Sequence, residues 1–194
     1  MQMLDQTGVF PAKQTPSRKG VHPRFIVIHY SYTHSPVSTV KVLNSKGLST
    51  HFEVDQQGTI HKYVDPKDHY TLHGKQFNRH SIGIDVTSTG SFSKAQIAGV
   101  RRLATYLCRR FGIPQVVSPD GIIYSSLGQI TGGGYGILRH RNLRPTACPG
   151  KFPMEALATP LDEGGAGRLS TWEIAALAAA GAAAVWLWMQ RRRA

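Results

Sequence analysis

The stretch from Gly136 to Gly150, GILRHRNLRPTACPG, carries the side chains best suited to chemistry. One histidine, His140, and one cysteine, Cys148, stand eight positions apart, with Asn142 and Pro145 between them and Pro149 and Gly150 after. The segment reads as a strand end running into a fixed loop. An imidazole and a thiolate on such a loop are donors of the kind that hold Zn²⁺. Two ligands do not make a site, however, and this spacing is not one of the common finger spacings. By itself such a pair is more often structural, so the metal reading needs a third ligand from elsewhere. Of the nine histidines, His29 is the best candidate. It ends the apolar, β-branched run Phe25-Ile26-Val27-Ile28, which reads as a buried central strand. A ligand at a sheet end is held more rigidly than one on a loop.

Other elements must frame these groups. Two alternating runs, Ser49 to Val54 and Thr59 to Val64, flank Gly58 and read as a β-hairpin. Ser81 to Val86 reads as a further strand, with Gly83 allowing close approach of backbone. Ser93 to Phe111 is the strongest helix. Ser93 and Gln96 fit a capping box, Ile97, Val100, Leu103, Ala104, Leu107 and Phe111 recur at helical spacing, and Gly112 with Pro114 ends it. Its arginines fall largely away from that stripe and read as a solvated face. Ser38 to Asn44 suggests a short helix. Pro66 to His80 reads as a loop over the sheet and Val116 to Tyr135 as a turn-rich region. The triplet Gly132-Gly133-Gly134 lacks the following lysine and helix of a phosphate loop. Residues 1–20, with Pro11, Pro16 and Gly20, read as an arm that is either mobile or wrapped on the domain surface.

The bulk numbers bound the rest. A chain of 194 residues holds one ordinary domain and tails. Apolar content of 41% and charge of 18% are those of a globular protein rather than a disordered one. The formal charge of +12 points to a polyanionic neighbour: nucleic acid, an anionic membrane surface or an anionic cell wall. No recognisable nucleic-acid motif of interleaved aromatic and basic residues accompanies it, so nucleic acid ranks lowest. Two cysteines do not make a disulfide framework; Cys108 reads as a buried free thiol and Cys148 as a functional one. No apolar core marks a secretory signal peptide in the first twenty residues.

FIVIHYS, STHFEVDQQGTI, LHG, NRHSIGIDV and RHRNLRPTACPG follow one another over about Val21 to Leu157. In that order they resemble the zinc-dependent N-acetylmuramoyl-L-alanine amidases of the amidase-2 type, a family that includes T7-type phage lysozyme and the peptidoglycan recognition proteins. The resemblance implies an α/β fold, one domain with a central mixed β-sheet flanked by helices. It also implies that His29, His140 and Cys148 bind one Zn²⁺. Two imidazoles and a thiolate leave a tetrahedral ion one open position, the mark of a catalytic site. Water there is acidified and attacks an amide carbonyl that the metal polarises. The bond implied joins the lactyl group of N-acetylmuramic acid to the first L-alanine of the stem peptide.

The family's proton-transfer residues are less completely matched. Where several relatives have a tyrosine, this chain has Thr50. Phage relatives have a lysine where Thr146 stands, as it does in the recognition proteins, and some relatives have a glutamate where Asp85 stands. The expectation is Asp85 as general base, with Thr146 or a nearby histidine at the oxyanion; the competing role for Asp85 is a carboxylate that orients a zinc histidine. His73 resembles the histidine of the family's WHAG segment and is expected, with Thr50 and Asn78, to contact substrate. His51 reads as a packed strand residue, and His61, His69 and His80 as surface or loop residues.

The chain thus divides into an arm (1–20), an amidase domain (21–157), a linker (158–170) and a C-terminal hydrophobic helix with a basic end (171–194). Ile174 to Met189 is uncharged and largely alanine, Trp172, Trp186 and Trp188 lie near its ends, and Arg191, Arg192 and Arg193 close it. That is the grammar of a membrane helix, short for a span. The implied setting is the bacterial cell wall or periplasm, as a phage endolysin. The alternatives are an antibacterial effector delivered to the periplasm and a wall-binding module without activity. The presence of Cys148 favours catalysis.

Overall fold

Alternation along the strands decides which groups meet. The computed structural model describes residues 2–159, which all belong to one compact unit. Strands β2 (Phe25–Tyr30) and β5 (Ser81–Val86) run in parallel, with Phe25 opposite Ser81, Val27 opposite Gly83 and His29 opposite Asp85. Successive side chains point to opposite faces, so Ile26, Ile28, Ile82 and Ile84 share one face, and His29 and Asp85 the other. Strand β3 (Phe52–Val54) pairs in parallel with β5 and antiparallel with β4 (Ile60–Lys62), and Glu53 stands opposite both Asp85 and His61. A polar row, His29–Asp85–Glu53–His61, therefore crosses the sheet. Strands β1 (Leu4–Asp5) and β6 (Ile137–Arg139) complete the order β1-β4-β3-β5-β2-β6. The sheet is mixed, with helices against it, as expected.

The apolar face is covered by the long helix, which with α1 (Pro36–Ser45) before it is α2 (Lys94–Phe111). Its capping box forms as read, and Gly112 closes it at φ 64°, a left-handed position that glycine adopts without strain. Val100, Leu103, Ala104 and Leu107 pack against the isoleucines, Phe52 and Val54, and Met154 and Leu157 close the cluster. Each fully buried side chain of this size contributes roughly 1.5–3 kcal/mol. On the opposite face a smaller cluster gathers Phe25, Val27, Phe77, Leu138 and Leu143. That cluster occupies the N-terminal part of β2, leaving its polar C-terminal end for the site.

Two local differences from the sequence reading, and one choice between its alternatives, have physical causes. Helix α1 starts at Pro36 because the Ser35 hydroxyl caps it, accepting from the Ser38 N–H, and proline suits the first turn. The turn-rich region holds a short helix, α3 (Leu127–Gly132), capped reciprocally by Ser126 and Gln129. The N-terminal arm takes the wrapped alternative: Phe10 meets Tyr63 edge to face at 5.6 Å, and Arg18 is fully buried. The Arg18 guanidinium donates to the carbonyls of Pro66, Arg79 and Ser81, and burial lowers its pKa to about 10. The arm is thereby stitched to the first residue of β5.

Cys108 and Cys148 are both free. Among the described residues no helix is long and apolar enough to cross a membrane. The expected helix over 171–194, and nearly all of the expected linker, lie outside the described residues.

Candidate metal centre

His29, His140 and Cys148 come together. One ligand atom from each lies within 4.8 Å of the others. Two neighbouring parallel strands, β2 and the edge strand β6, deliver the histidines: His29 is the fifth residue of β2, and His140 directly follows β6. Cys148 returns on the loop, where its Sγ accepts the Tyr30 N–H at 3.4 Å and lies 3.9 Å from His29 Nδ1. Zinc bonds of about 2.0–2.1 Å to nitrogen and about 2.3 Å to sulfur place two tetrahedral ligand atoms about 3.6 Å apart. His140 Nε2 is buried without a hydrogen-bond partner. A ring nitrogen left so is costly unless a metal or water satisfies it. The donor set, the spacing and the orphaned nitrogen all fit a zinc ion.

The loop between the ligands is fixed by its own polar residues. The Arg141 N–H donates to the Cys148 carbonyl at 2.9 Å, and its guanidinium reaches the Gly150 carbonyl at 3.0 Å and Asp120 at 2.5 and 2.6 Å. Asn142, fully buried, accepts from the Arg139 N–H and donates to the carbonyls of Pro119 and Ile122. The sequence signal for a fixed loop was sound, and these two side chains supply the rigidity.

Asp85 lies beside His29 with only 5% of its surface exposed. Burial pushes its carboxyl up to about 7, Glu53 adds to the rise, and the Thr50 hydroxyl opposes it. Glu53, which sequence reasoning did not single out, is wholly buried and caged by hydroxyls. Thr39 and Thr87 donate to its Oε1 at 2.6 and 2.5 Å, and Tyr63 to its Oε2 at 2.9 Å. Burial raises its pKa against those donors. Its signal in the sequence was a carboxylate inside the strand Phe52-Glu53-Val54, on the face away from the core.

Burial also pushes the Cys148 thiol up to about 12. A cysteine nucleophile needs the opposite environment, one that lowers the pKa. A coordinated metal instead deprotonates a thiol outright. The surroundings of Cys148 are thus unlike those of a cysteine nucleophile and suit a metal ligand.

Comparison with known proteins agrees with this geometry. The sequence profile of the N-acetylmuramoyl-L-alanine amidase family matches residues 19–151, well over half of the chain. The chain belongs to that family. No curated protein sequence matches the chain. Among solved structures, the N-acetylmuramoyl-L-alanine amidase LysC from Clostridium intestinale is similar, with a TM-score of 0.60 and 21% identity over 81% of this chain and 95% of that one. The endolysin of Thermus scotoductus bacteriophage Ph2119 gives a TM-score of 0.54 and 18% identity over 81% and 97%. Drosophila PGRP-LB gives 0.56 and 19% over 81% and 93%. At these identities the likeness is one of fold.

Within this family fold the other expected residues take distinct places. Thr146 is half-buried at the loop, its Oγ1 accepting the Cys148 N–H at 3.3 Å. Thr50 is fully buried and acts on Asp85 and on the Phe52 carbonyl, which it reaches at 3.2 Å, so its place is beneath the site. Asn78 clamps the 73–74 backbone, its Oδ1 accepting from the His73 and Gly74 N–H groups. His73 lies against His29, its Nδ1 3.0 Å from His29 Nε2. His51 is packed as read, directly before β3 rather than in it, its Nδ1 accepting from Gly83 N–H at 2.9 Å and facing Thr71 Oγ1 at 2.8 Å. His61, read as a surface or loop residue, is instead buried between Asp55 and Gln6, because its strand position aims it at the polar row.

Four histidines withdrawn from solvent, His29 and His51 buried and His73 and His140 half-buried, make stability depend on pH. Burial is the first cause in each: His73 falls to about 3, His140 to about 4, and His29 and His51 lie well below the usual range. Unfolded, each takes a proton near pH 6.5. Asp85 and Glu53 work the other way, holding protons when folded that the unfolded chain releases near pH 4. Histidines outnumber carboxyls, so between pH 4 and 6.5 the unfolded chain binds more protons and stability rises with pH. A net of one to two protons amounts to about 1.5–3 kcal/mol per pH unit. The urea midpoint of chelated protein should be lower at pH 5 than at pH 7.

Proposed function

We propose that the protein hydrolyses peptidoglycan, cutting the amide between the lactyl group of N-acetylmuramic acid and the first L-alanine of the stem peptide. The observation that carries this reading is the convergence of His29, His140 and Cys148 on one point of an amidase-family fold. These three residues would hold one Zn²⁺. When bound, zinc supplies Lewis acidity, bringing a water toward ionisation at neutral pH and polarising the amide carbonyl.

The chain's own residues supply the rest. Asp85, poised at about 7 beside His29, is the general base: its carboxylate takes a proton from the attacking water and passes it to the leaving amine. Glu53 keeps a second carboxyl alongside, which favours the proton-holding state of Asp85 that the later step needs. The Thr146 hydroxyl, on the Cys148 loop, is the donor for the developing oxyanion. The formal charge of +12 draws the enzyme to an anionic wall.

The setting we favour is host lysis by a phage endolysin, with residues 171–194 associating with the membrane through their apolar run and basic end. The test is release of soluble fragments from purified peptidoglycan by the full chain. Activity lost on chelation and restored by added Zn²⁺ supports the reading. Activity indifferent to chelation, at matched protein and salt, contradicts it.

A further inference from the structure

The His29 ring uses both of its nitrogens. Nδ1 faces Cys148 Sγ at 3.9 Å, and Nε2 lies 3.0 Å from His73 Nδ1. The far nitrogen of His73, Nε2, lies 3.0 Å from the Ser81 hydroxyl oxygen, and that hydroxyl is 2.9 Å from the Phe77 carbonyl. A carbonyl only accepts, so Ser81 spends its proton on Phe77 and its oxygen accepts from His73 Nε2–H. A neutral imidazole carries one proton, so His73 Nδ1 is an acceptor and His29 must donate from Nε2. His29 then presents a bare Nδ1 toward Cys148. The chain Phe77 O ← Ser81 ← His73 ← His29 thus has one self-consistent assignment of protons, and it leaves on His29 the lone pair a metal needs.

Three further features hold this chain in place. A Cβ on Gly83 would meet the His73 ring at 3.0 Å, so the glycine of the strand is what lets His73 pack this closely on β5. Asn78 Oδ1 pins the His73 backbone N–H at 3.0 Å. Ser81 is itself fully buried, and its carbonyl accepts from Arg18 of the arm at 2.5 Å.

We propose that His73 and Ser81 are positioning residues that fix the tautomer and ring orientation of His29, so that metal enters on Nδ1. This rests on the zinc reading above. It assigns to an imidazole the place beside a metal-bound histidine that a carboxylate or backbone carbonyl usually takes. It also gives Asp85 no nitrogen of His29 to orient, which leaves that carboxyl for proton transfer.

The test compares the full-length wild type with His73→Ala, His73→Asn and Ser81→Ala, with folding checked by circular dichroism. Zinc affinity is read by competition with a chromophoric chelator, and the d–d spectrum of the Co²⁺-substituted protein reports ligand geometry. Loss of an outer partner of this kind weakens metal binding by about 10- to 100-fold. That loss, with an altered Co²⁺ spectrum, is expected for His73→Ala and in smaller measure for Ser81→Ala. His73→Asn, whose carboxamide oxygen can stand near the Nδ1 position, should recover part of the affinity. Wild-type affinity and spectrum in folded His73→Ala and Ser81→Ala would overturn the proposal, and a rise in KM alone would make His73 a substrate contact instead. A wild type that binds no zinc would sink the metal reading itself.

Discussion

Replacing Cys148 by serine is expected to leave a folded protein that retains no zinc in the presence of a competing chelator and releases no stem peptides. The fold should survive because serine is nearly isosteric and its oxygen can accept the Tyr30 N–H that now reaches Sγ. The loop is held from outside the cysteine side chain, by Arg141 and Asn142. What disappears is the only anionic donor of the trio. Serine stays protonated and is a poor zinc ligand, so two imidazoles remain where three protein ligands define a catalytic site. Activity should fall by about 10³-fold or more, since the metal both generates the nucleophile and polarises the carbonyl. Zinc content by mass spectrometry and fragment release on one preparation check both halves. A variant that loses activity but keeps zinc at wild-type affinity would make Cys148 a catalytic group rather than a ligand.

Asp85→Asn should give the opposite signature: zinc retained, kcat reduced by about 10²- to 10⁴-fold, the usual range for a missing general base. Asparagine keeps the shape and cannot take the proton. The site is built to make that proton transfer sensitive, because burial and the neighbouring Glu53 bring Asp85 to about 7. The competing role, orientation of a zinc histidine, predicts weaker metal binding with kcat falling only in proportion. His29 already spends Nε2 on His73, which leaves the orienting role without a nitrogen on His29. Isothermal titration with Zn²⁺ beside steady-state kinetics separates the two roles.

The legible parts of this chain were those set by short-range rules. A short apolar, β-branched run placed His29 near the end of a buried strand, and the capping box of Ser93 and Gln96 placed α2 to within a residue. The loop residues His140 and Cys148 were legible as candidate donors by type, and the strand order brings them together with His29. The rest required contacts between distant segments. Arg18 lies in a polar, proline-punctuated arm, and nothing local signals that its guanidinium finds three carbonyls inside the domain. His73 carries a resemblance that points to substrate, yet only the register that sets Ser81 and Gly83 beneath it reveals its hydrogen bonds. Glu53 is hidden for the same reason: its three hydroxyl partners come from α1, the end of β4 and the end of β5. The tail was legible as composition alone, and its association with a membrane stays a proposal.

The bond that breaks decides the activity of this protein. The direct measurement is mass spectrometry of the products formed by full-length, zinc-loaded protein on purified peptidoglycan, with Cys148→Ser in parallel. Free stem peptides that begin at L-alanine, and glycan strands that keep intact lactyl groups, are expected in the wild-type reaction alone. Wall bound without cleavage, or products cut at a glycosidic bond or within the stem peptide, would contradict it.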